Sequence, residues 1–291
     1  MKIKMALAGV LATVLAACSS DGTPASGTAQ AQEGPARAIT QIAGDLYRFQ
    51  NNRHYSVFLV TPDGIIATDP INEEAATWLK AELDERFGVP VKYVIYSHHH
   101  GDHASGGAVF ADTATFIGHQ NMIPALAGSA GSVHPPDETF ENRMTVELGG
   151  KSVELHYLGR NHSADMTVML FAQERAVFAV DFVTVRRLPF RDLRGGFLPD
   201  WINAIKALEA LDFDILAPGH GPLGGRADAA EHRLYLEELT AAVAQGIADD
   251  VSLEELQETV RMEKYAAWGQ YNEWRADNIA GVYRILSAGG M

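Results

Sequence analysis

The chain has 291 residues, with 37 Asp or Glu against 23 Lys or Arg, and a formal charge of −14. So acidic a surface repels phosphate backbones, which disfavours a nucleic-acid partner or substrate. Cys18 is the only cysteine, so an internal disulfide and a multi-thiolate metal site are both excluded.

In chain order, residues 1–17 start basic, with Lys2 and Lys4, and continue through an apolar run too short to span a bilayer comfortably. The run ends Leu15-Ala16-Ala17-Cys18-Ser19, which resembles a bacterial lipoprotein signal with Cys18 as the lipid-bearing residue; an ordinary signal peptide is the alternative. Ser19 in place of Asp resembles the outer-membrane class of such signals. Periplasmic, outer-membrane-anchored protein is expected, with soluble periplasmic protein as the alternative and the membrane touched only through the lipid. Removing 1–17 takes away Lys2 and Lys4 and moves the charge to −16. Residues 18–36, rich in Ser, Gly, Ala, Thr and Pro, read as a flexible tether. Residues 37–291 are enough for one domain with a large core.

Within that domain, 45–49, 55–60 and 64–68 read as consecutive strands, with Thr61-Pro62-Asp63-Gly64 as the last turn. A helix is expected over 72–87, with acidic residues in its first turn and Gly88 past its end. Val91–Tyr96 has the bias of a buried strand. Further strands are expected at 115–118, 146–148, 153–157, 166–171, 176–180 and 213–217, and helices from Pro199 to about Leu211, over 227–247 and near 272–286. Residues 127–138, with Gly128, Gly131, His134 and Pro135-Pro136, read as a loop and candidate flap. No internal repeat is visible.

The strand at 91–96 runs into Ser97-His98-His99-His100-Gly101-Asp102-His103. So many imidazoles would be costly inside a core, where each ring nitrogen needs a partner, but at a strand's end they can converge on a metal. If the chain stays extended, His98 and His100 point one way and His99 the other. Gly101 then permits a turn that brings Asp102 and His103 alongside. Three later residues follow strand-like runs in the same manner: His162, Asp181 and His220, the last within Gly219-His220-Gly221. His54, His119, His134, His156 and His232 read most simply as surface or structural residues.

This set resembles the metallo-β-lactamase superfamily: an H-x-H-x-D-H motif, a later His, an Asp closing a strand and a final G-H-G, over roughly residues 40–222. The resemblance implies a four-layer α/β/β/α sandwich for 37–291. It further implies two zinc ions per chain, with manganese and iron as alternatives. His98, His100 and His162 would hold one ion, Asp102, His103 and His220 the second, and Asp181 would bridge them. The implied chemistry is hydrolysis of a small carbonyl substrate, a β-lactam or another cyclic amide or ester, by a metal-bridging hydroxide that Asp102 orients. Redox di-iron relatives carry Glu where this chain has His100. Lactamases usually carry Cys or Ser near Asp181, whereas a bridging Asp is typical of lactonases and thioesterases, so a lactonase or thioesterase is the alternative. A phosphodiesterase and a non-catalytic zinc-binding protein are weaker ones.

Four arginines, Arg186, Arg187, Arg191 and Arg194, follow Asp181 in this acidic chain. They read either as a solvated loop balancing acidic neighbours or as a grip on a substrate anion, with Arg186 and Arg187 the candidate substrate-binding residues. Leu188, Phe190, Phe197, Leu198 and Trp201 nearby read as pocket wall or as core. The substrate and the oligomeric state are not legible.

Overall fold

The computed structural model describes residues 34–127 and 133–288. The expected signal segment, Cys18 and most of the tether therefore lie outside the described residues. Pro35–Met291 forms one compact unit. Its first sheet has seven strands in chain order: β1 (Arg37–Ala43), β2 (Leu46–Asn51), β3 (His54–Thr61), β4 (Gly64–Thr68), β5 (Val91–Ile95), β6 (Thr115–His119) and β7 (Glu138–Phe140). β1 to β4 pair antiparallel and β4 to β7 parallel. The second sheet has the order β12-β11-β10-β9-β8, built from β8 (Arg143–Leu148), β9 (Lys151–His156), β10 (Val168–Phe171), β11 (Ala176–Phe178) and β12 (Ile215–Ala217).

A parallel step needs a crossover, and two helices supply the main ones. Helix α1 (Glu73–Phe87) joins β4 to β5, capped by Asn72 Oδ1, which accepts from Ala75 N at 2.9 Å, and stopped by Gly88 at φ 64°. Two short helices, α2 (Gly101–Ala104) and α3 (Met122–Ala127), follow in the first half. Helix α4 (Leu198–Glu209) joins β11 to β12, and α5 (Arg226–Ala248), α6 (Leu253–Thr259) and α7 (Tyr271–Ala288) complete the chain.

Strand alternation sorts the core into layers. Ile66, Ile95 and Ile117 face inward and join Val153, Leu155 and Val168 of the second sheet in one cluster, while Ile65, Val94 and Phe116 face outward and pack with Leu79 and Leu83 of α1. Trp201, Leu208, Tyr235 and Leu236 of α4 and α5 close the far side of the second sheet. The result is the expected α/β/β/α sandwich. β1, β7, α3 and α6 add to the expected elements, β7 being only three residues long with Phe140 alone buried. β1 is an edge strand with little buried surface, α3 contains Pro124, and α6 buries only Leu256.

Candidate metal centre

β5 is buried at Val91, Val94 and Ile95, and the burial continues through Tyr96, Ser97 and His98. Asp69, at the end of β4, accepts from Ser97 N at 2.7 Å and from Ser97 Oγ at 2.6 Å. That hydroxyl has spent its proton on Asp69, so His98 Nδ1–H donates to it at 2.9 Å and His98 Nε2 is left with its lone pair. The chain is still extended at His100, and α2 begins at Gly101, which swings Asp102 and His103 back beside the first pair. His99 points away: its N and Nδ1 both bond Asp165, at 2.8 and 3.0 Å. Ile71, a β-branched residue at φ 72°, donates its N–H to His103 O at 2.7 Å, so local strain is held next to the ligand turn.

The three distant residues arrive from the second sheet. His162, in the loop after β9, brings Nε2 to 3.0 Å from His100 Nδ1. Asp181, just beyond β11, takes φ 60°, a conformation Asp tolerates better than most residues. Its Oδ2 lies 3.8, 3.5 and 3.4 Å from Nε2 of His98, His162 and His103, and its Oδ1 lies 3.3 Å from His220 Nε2. Gly219 allows the His220 loop to approach: a Cβ there would sit 2.7 Å from Val180 Cγ1 and 2.9 Å from His103 Cε1. His103 Nε2 and His220 Nε2 are then 3.2 Å apart, with Asp102 Oδ2 3.6 and 3.9 Å from them.

The charges are strongly perturbed. Burial holds the imidazoles of His98, His162 and His220 below their usual range and takes His100 down to about 4. Burial opposes charge on His103 as well, but the Asp181 and Asp69 carboxylates outweigh it and raise this group well above an ordinary histidine. Burial likewise works against the Asp181 carboxylate, yet His103, His162 and His220 hold it far below the usual range. Asp102 falls to about 2, its burial outweighed by His54 and His103.

Such a cluster fits a divalent cation. His98, His100, His162 and Asp181 each present one ligand atom, and these atoms lie within 4.8 Å of one another; His103, Asp181 and His220 form a second such group. Among the described residues, His98 Nε2 and Asp181 Oδ1 are buried without a hydrogen-bond partner although they face this centre, a costly state that a bound ion would relieve. The donors are nitrogen and carboxylate oxygen without sulfur, which suits zinc and also manganese or iron. Asp69 behind His103 and Ser97 behind His98 orient the rings, as outer partners of metal ligands do.

The centre forms the floor of a cavity of about 900 Å³, whose wall includes Arg53, His54, Arg187, Phe190, Arg191 and Trp274. Arg187 is lowered from its ordinary pKa by burial, is drawn to Asp181, and lies 4.7 Å over the Trp274 ring. Arg191 and Arg194 also line the cavity. Arg186 does not: it is exposed, and its carbonyl accepts from Gly269 N at 2.8 Å, so the expected pair separates into one cavity residue and one anchoring residue. Buried Asn278 of α7 donates to Pro189 O at 3.0 Å, fixing the loop that carries these arginines. Leu188 and Phe190 face the cavity, whereas Leu198 and Trp201 are core. His134, assigned above to a candidate flap, stacks on Phe116 at 4.3 Å and is not on the cavity wall; residues 128–132 lie outside the described residues. His54, by sequence an ordinary surface or structural histidine, brings its Nε2 to 3.3 Å from Asp102 Oδ2. Its placement depends on the β2–β3 hairpin reaching the second sheet, and no local pattern signals that.

Residues 70–220 match the family model described as the metallo-beta-lactamase superfamily. A 2,4-dinitroanisole O-demethylase subunit alpha from Nocardioides sp. (strain JS1661) is 28% identical over 192 residues, covering 64% of this chain and 58% of that protein's length. A metallo-beta-lactamase type 2 from Elizabethkingia meningoseptica is 26% identical, covering 61% of this chain and 75% of the relative. Among solved structures, a metallo-beta-lactamase from Pontibacter korlensis superposes with a TM-score of 0.63 at 21% identity, over 69% of this chain and 99% of that one.

Proposed function

The chain belongs to the metallo-beta-lactamase superfamily, and from that premise we propose that it is a dinuclear zinc hydrolase of a small, anionic carbonyl substrate, a β-lactam or another cyclic amide or ester. The observation that carries this reading is the sharing of Asp181 by two groups of ligand atoms at the floor of one cavity. His98, His100 and His162 would hold one ion, Asp102, His103 and His220 the other, with Asp181 between them. The ions, when bound, would polarise the substrate carbonyl and acidify the attacking water. Asp102, half exposed to the cavity and held at about 2, stays ionised, so it serves to accept a hydrogen bond from that water and orient it rather than to retain the proton. The proton ends on the leaving amide nitrogen or ester oxygen as the ring or chain opens. Arg187, with Arg53 and Arg191 beside it on the wall, supports an anionic substrate: a guanidinium partly withdrawn from water recovers its lost solvation from a carboxylate or sulfate.

A second reading has its own observation. Phe190 is 59% exposed and meets Trp274 edge-on at 5.2 Å, giving the cavity an aromatic wall. With a relative named for O-demethylation of 2,4-dinitroanisole, that wall supports cleavage at an aryl oxygen. One panel on metal-loaded protein tests both, with nitrocefin, a carbapenem, an acyl-homoserine lactone, a thioester, 2,4-dinitroanisole and bis-p-nitrophenyl phosphate. The proposal expects the highest kcat/KM on a cyclic amide or ester bearing a carboxylate. Preference for the aryl ether would select the second reading, and preference for the phosphodiester would refute both.

A further inference from the structure

We propose that His54 is an additional ligand of the second cation position, which would then be closed by five protein side chains: His54, Asp102, His103, Asp181 and His220. This rests on the metal centre described above and adds a residue outside the 70–220 span that the family match covers.

His54 is brought there by a built contact between the two halves of the sandwich. It is the first residue of β3, at the tip of the β2–β3 hairpin, and that hairpin is tied to the loop carrying His220. Tyr55 N donates to Gly219 O at 2.9 Å. Arg48, buried under the Tyr55 ring, donates through Nη2 to Pro218 O at 3.0 Å and to Gly221 O at 2.7 Å. His220 Nδ1–H donates to Arg53 O at 2.9 Å, which fixes its tautomer and leaves Nε2 free for a cation. The residue after Arg53 is His54, so the tie that orients one imidazole also delivers the next.

The spacing is that of a coordination shell. Nitrogen and oxygen ligands sit about 2.1 Å from zinc, so neighbouring ligand atoms around one ion lie roughly 3.0–3.4 Å apart and opposite ones about 4.2 Å. His54 Nε2 is 3.3 Å from Asp102 Oδ2, an edge like that between His103 and His220 at 3.2 Å. His54, Asp102 and His220 together each present an atom within 4.8 Å of the other two. The His54 ring lies edge-on to His220 at 4.7 Å, and its side chain is only 30% exposed. Five protein ligands leave little room for solvent on this ion, so it would be the more tightly held and the first ion the more open to substrate.

The test uses cobalt(II)-loaded full-length protein, wild type and the His54→Ala and His54→Gln variants, with folding checked by circular dichroism. Affinities for each ion are measured by chelator competition, and coordination by the cobalt d–d bands, which strengthen as coordination number falls. The inference expects both variants to bind one ion as wild type does, to hold the other at least about 10-fold more weakly, and to show a stronger band from it. If His54 only hydrogen-bonds Asp102, Gln will restore wild-type affinity and spectrum, and the inference is overturned. Unchanged affinity and spectrum in Ala overturn it equally. Failure of the underlying metal centre looks different, because wild-type protein itself would then not bind two ions.

Discussion

Arg48 is where stability and metal binding can be separated most sharply. It is 8% exposed, and its two hydrogen bonds bracket His220 in sequence. Replacing it with Met removes two charge-assisted bonds, worth roughly 1.5–3 kcal/mol each, or about 3–6 kcal/mol together. Against that, burial lowers the Arg48 pKa to about 10, so keeping the guanidinium charged inside the fold costs about 3 kcal/mol, which Met does not incur. The net loss of stability is therefore about 0–3 kcal/mol, within what a domain of this size withstands. The His220 loop, however, loses both side-chain ties to the hairpin; the contacts of Gly219 with Tyr55 and of His220 with Arg53 remain, with the paired Leu216–Gly224 backbone bonds at the base of the loop. Arg48→Met should stay folded yet hold the cation at the Asp102, His103 and His220 position about 10- to 100-fold more weakly. Urea unfolding of the metal-free protein and chelator competition on the loaded protein read the two effects separately. Full retention of both ions, or a stability loss above about 5 kcal/mol, would contradict this role for Arg48.

Arg187→Ala should lower kcat/KM for a carboxylate-bearing substrate about 10- to 150-fold, the worth of one charged hydrogen bond, and leave a neutral ester nearly untouched; equal losses on both would show a structural role. His100→Ala should impair every substrate and lower the affinity for one ion, which metal analysis after dialysis would detect as sub-stoichiometric content. His232 gives a pH prediction. Burial, opposed only in part by its bond to Thr184, holds its pKa at about 3, so the unfolded chain takes up this proton near pH 6.5 and the folded chain does not. The folded pKa is depressed, so stability is full above pH 6.5 and falls as pH drops towards 3. Between pH 7 and pH 5 this group should remove about 2 kcal/mol. In metal-free protein His232→Gln should flatten the pH dependence of unfolding by that amount, and parallel curves for the two proteins would contradict the assignment.

What the chain discloses locally and what it hides divide on physical lines. β5 and the histidine turn after it are legible because a buried strand of β-branched and aromatic residues cannot itself carry a run of histidines, so that run must lie where the strand ends. α1 announces itself through Asn72, Glu73, Glu74 and Gly88, since helix ends leave backbone groups that capping residues satisfy. β1 leaves no pattern to read because an edge strand needs no apolar face, and its Arg37, Thr40 and Gln41 resemble a linker. His54, Arg53 and Trp274 reach the cavity through tertiary contacts at large sequence separation, which leave no periodicity to read. Arg186 and Arg187 are adjacent and chemically identical, yet only the backbone turn, with Arg186 at φ 47°, determines which of them faces the cavity.

Two cations sharing Asp181 would be visible in an anomalous difference map of zinc-loaded crystals recorded at the zinc absorption edge. Two peaks are expected roughly 3.5–4 Å apart, one among His98, His100 and His162, the other among Asp102, His103 and His220, with the Asp181 carboxylate touching both. A single peak, or two peaks of which one lies away from Asp181, would contradict that sharing.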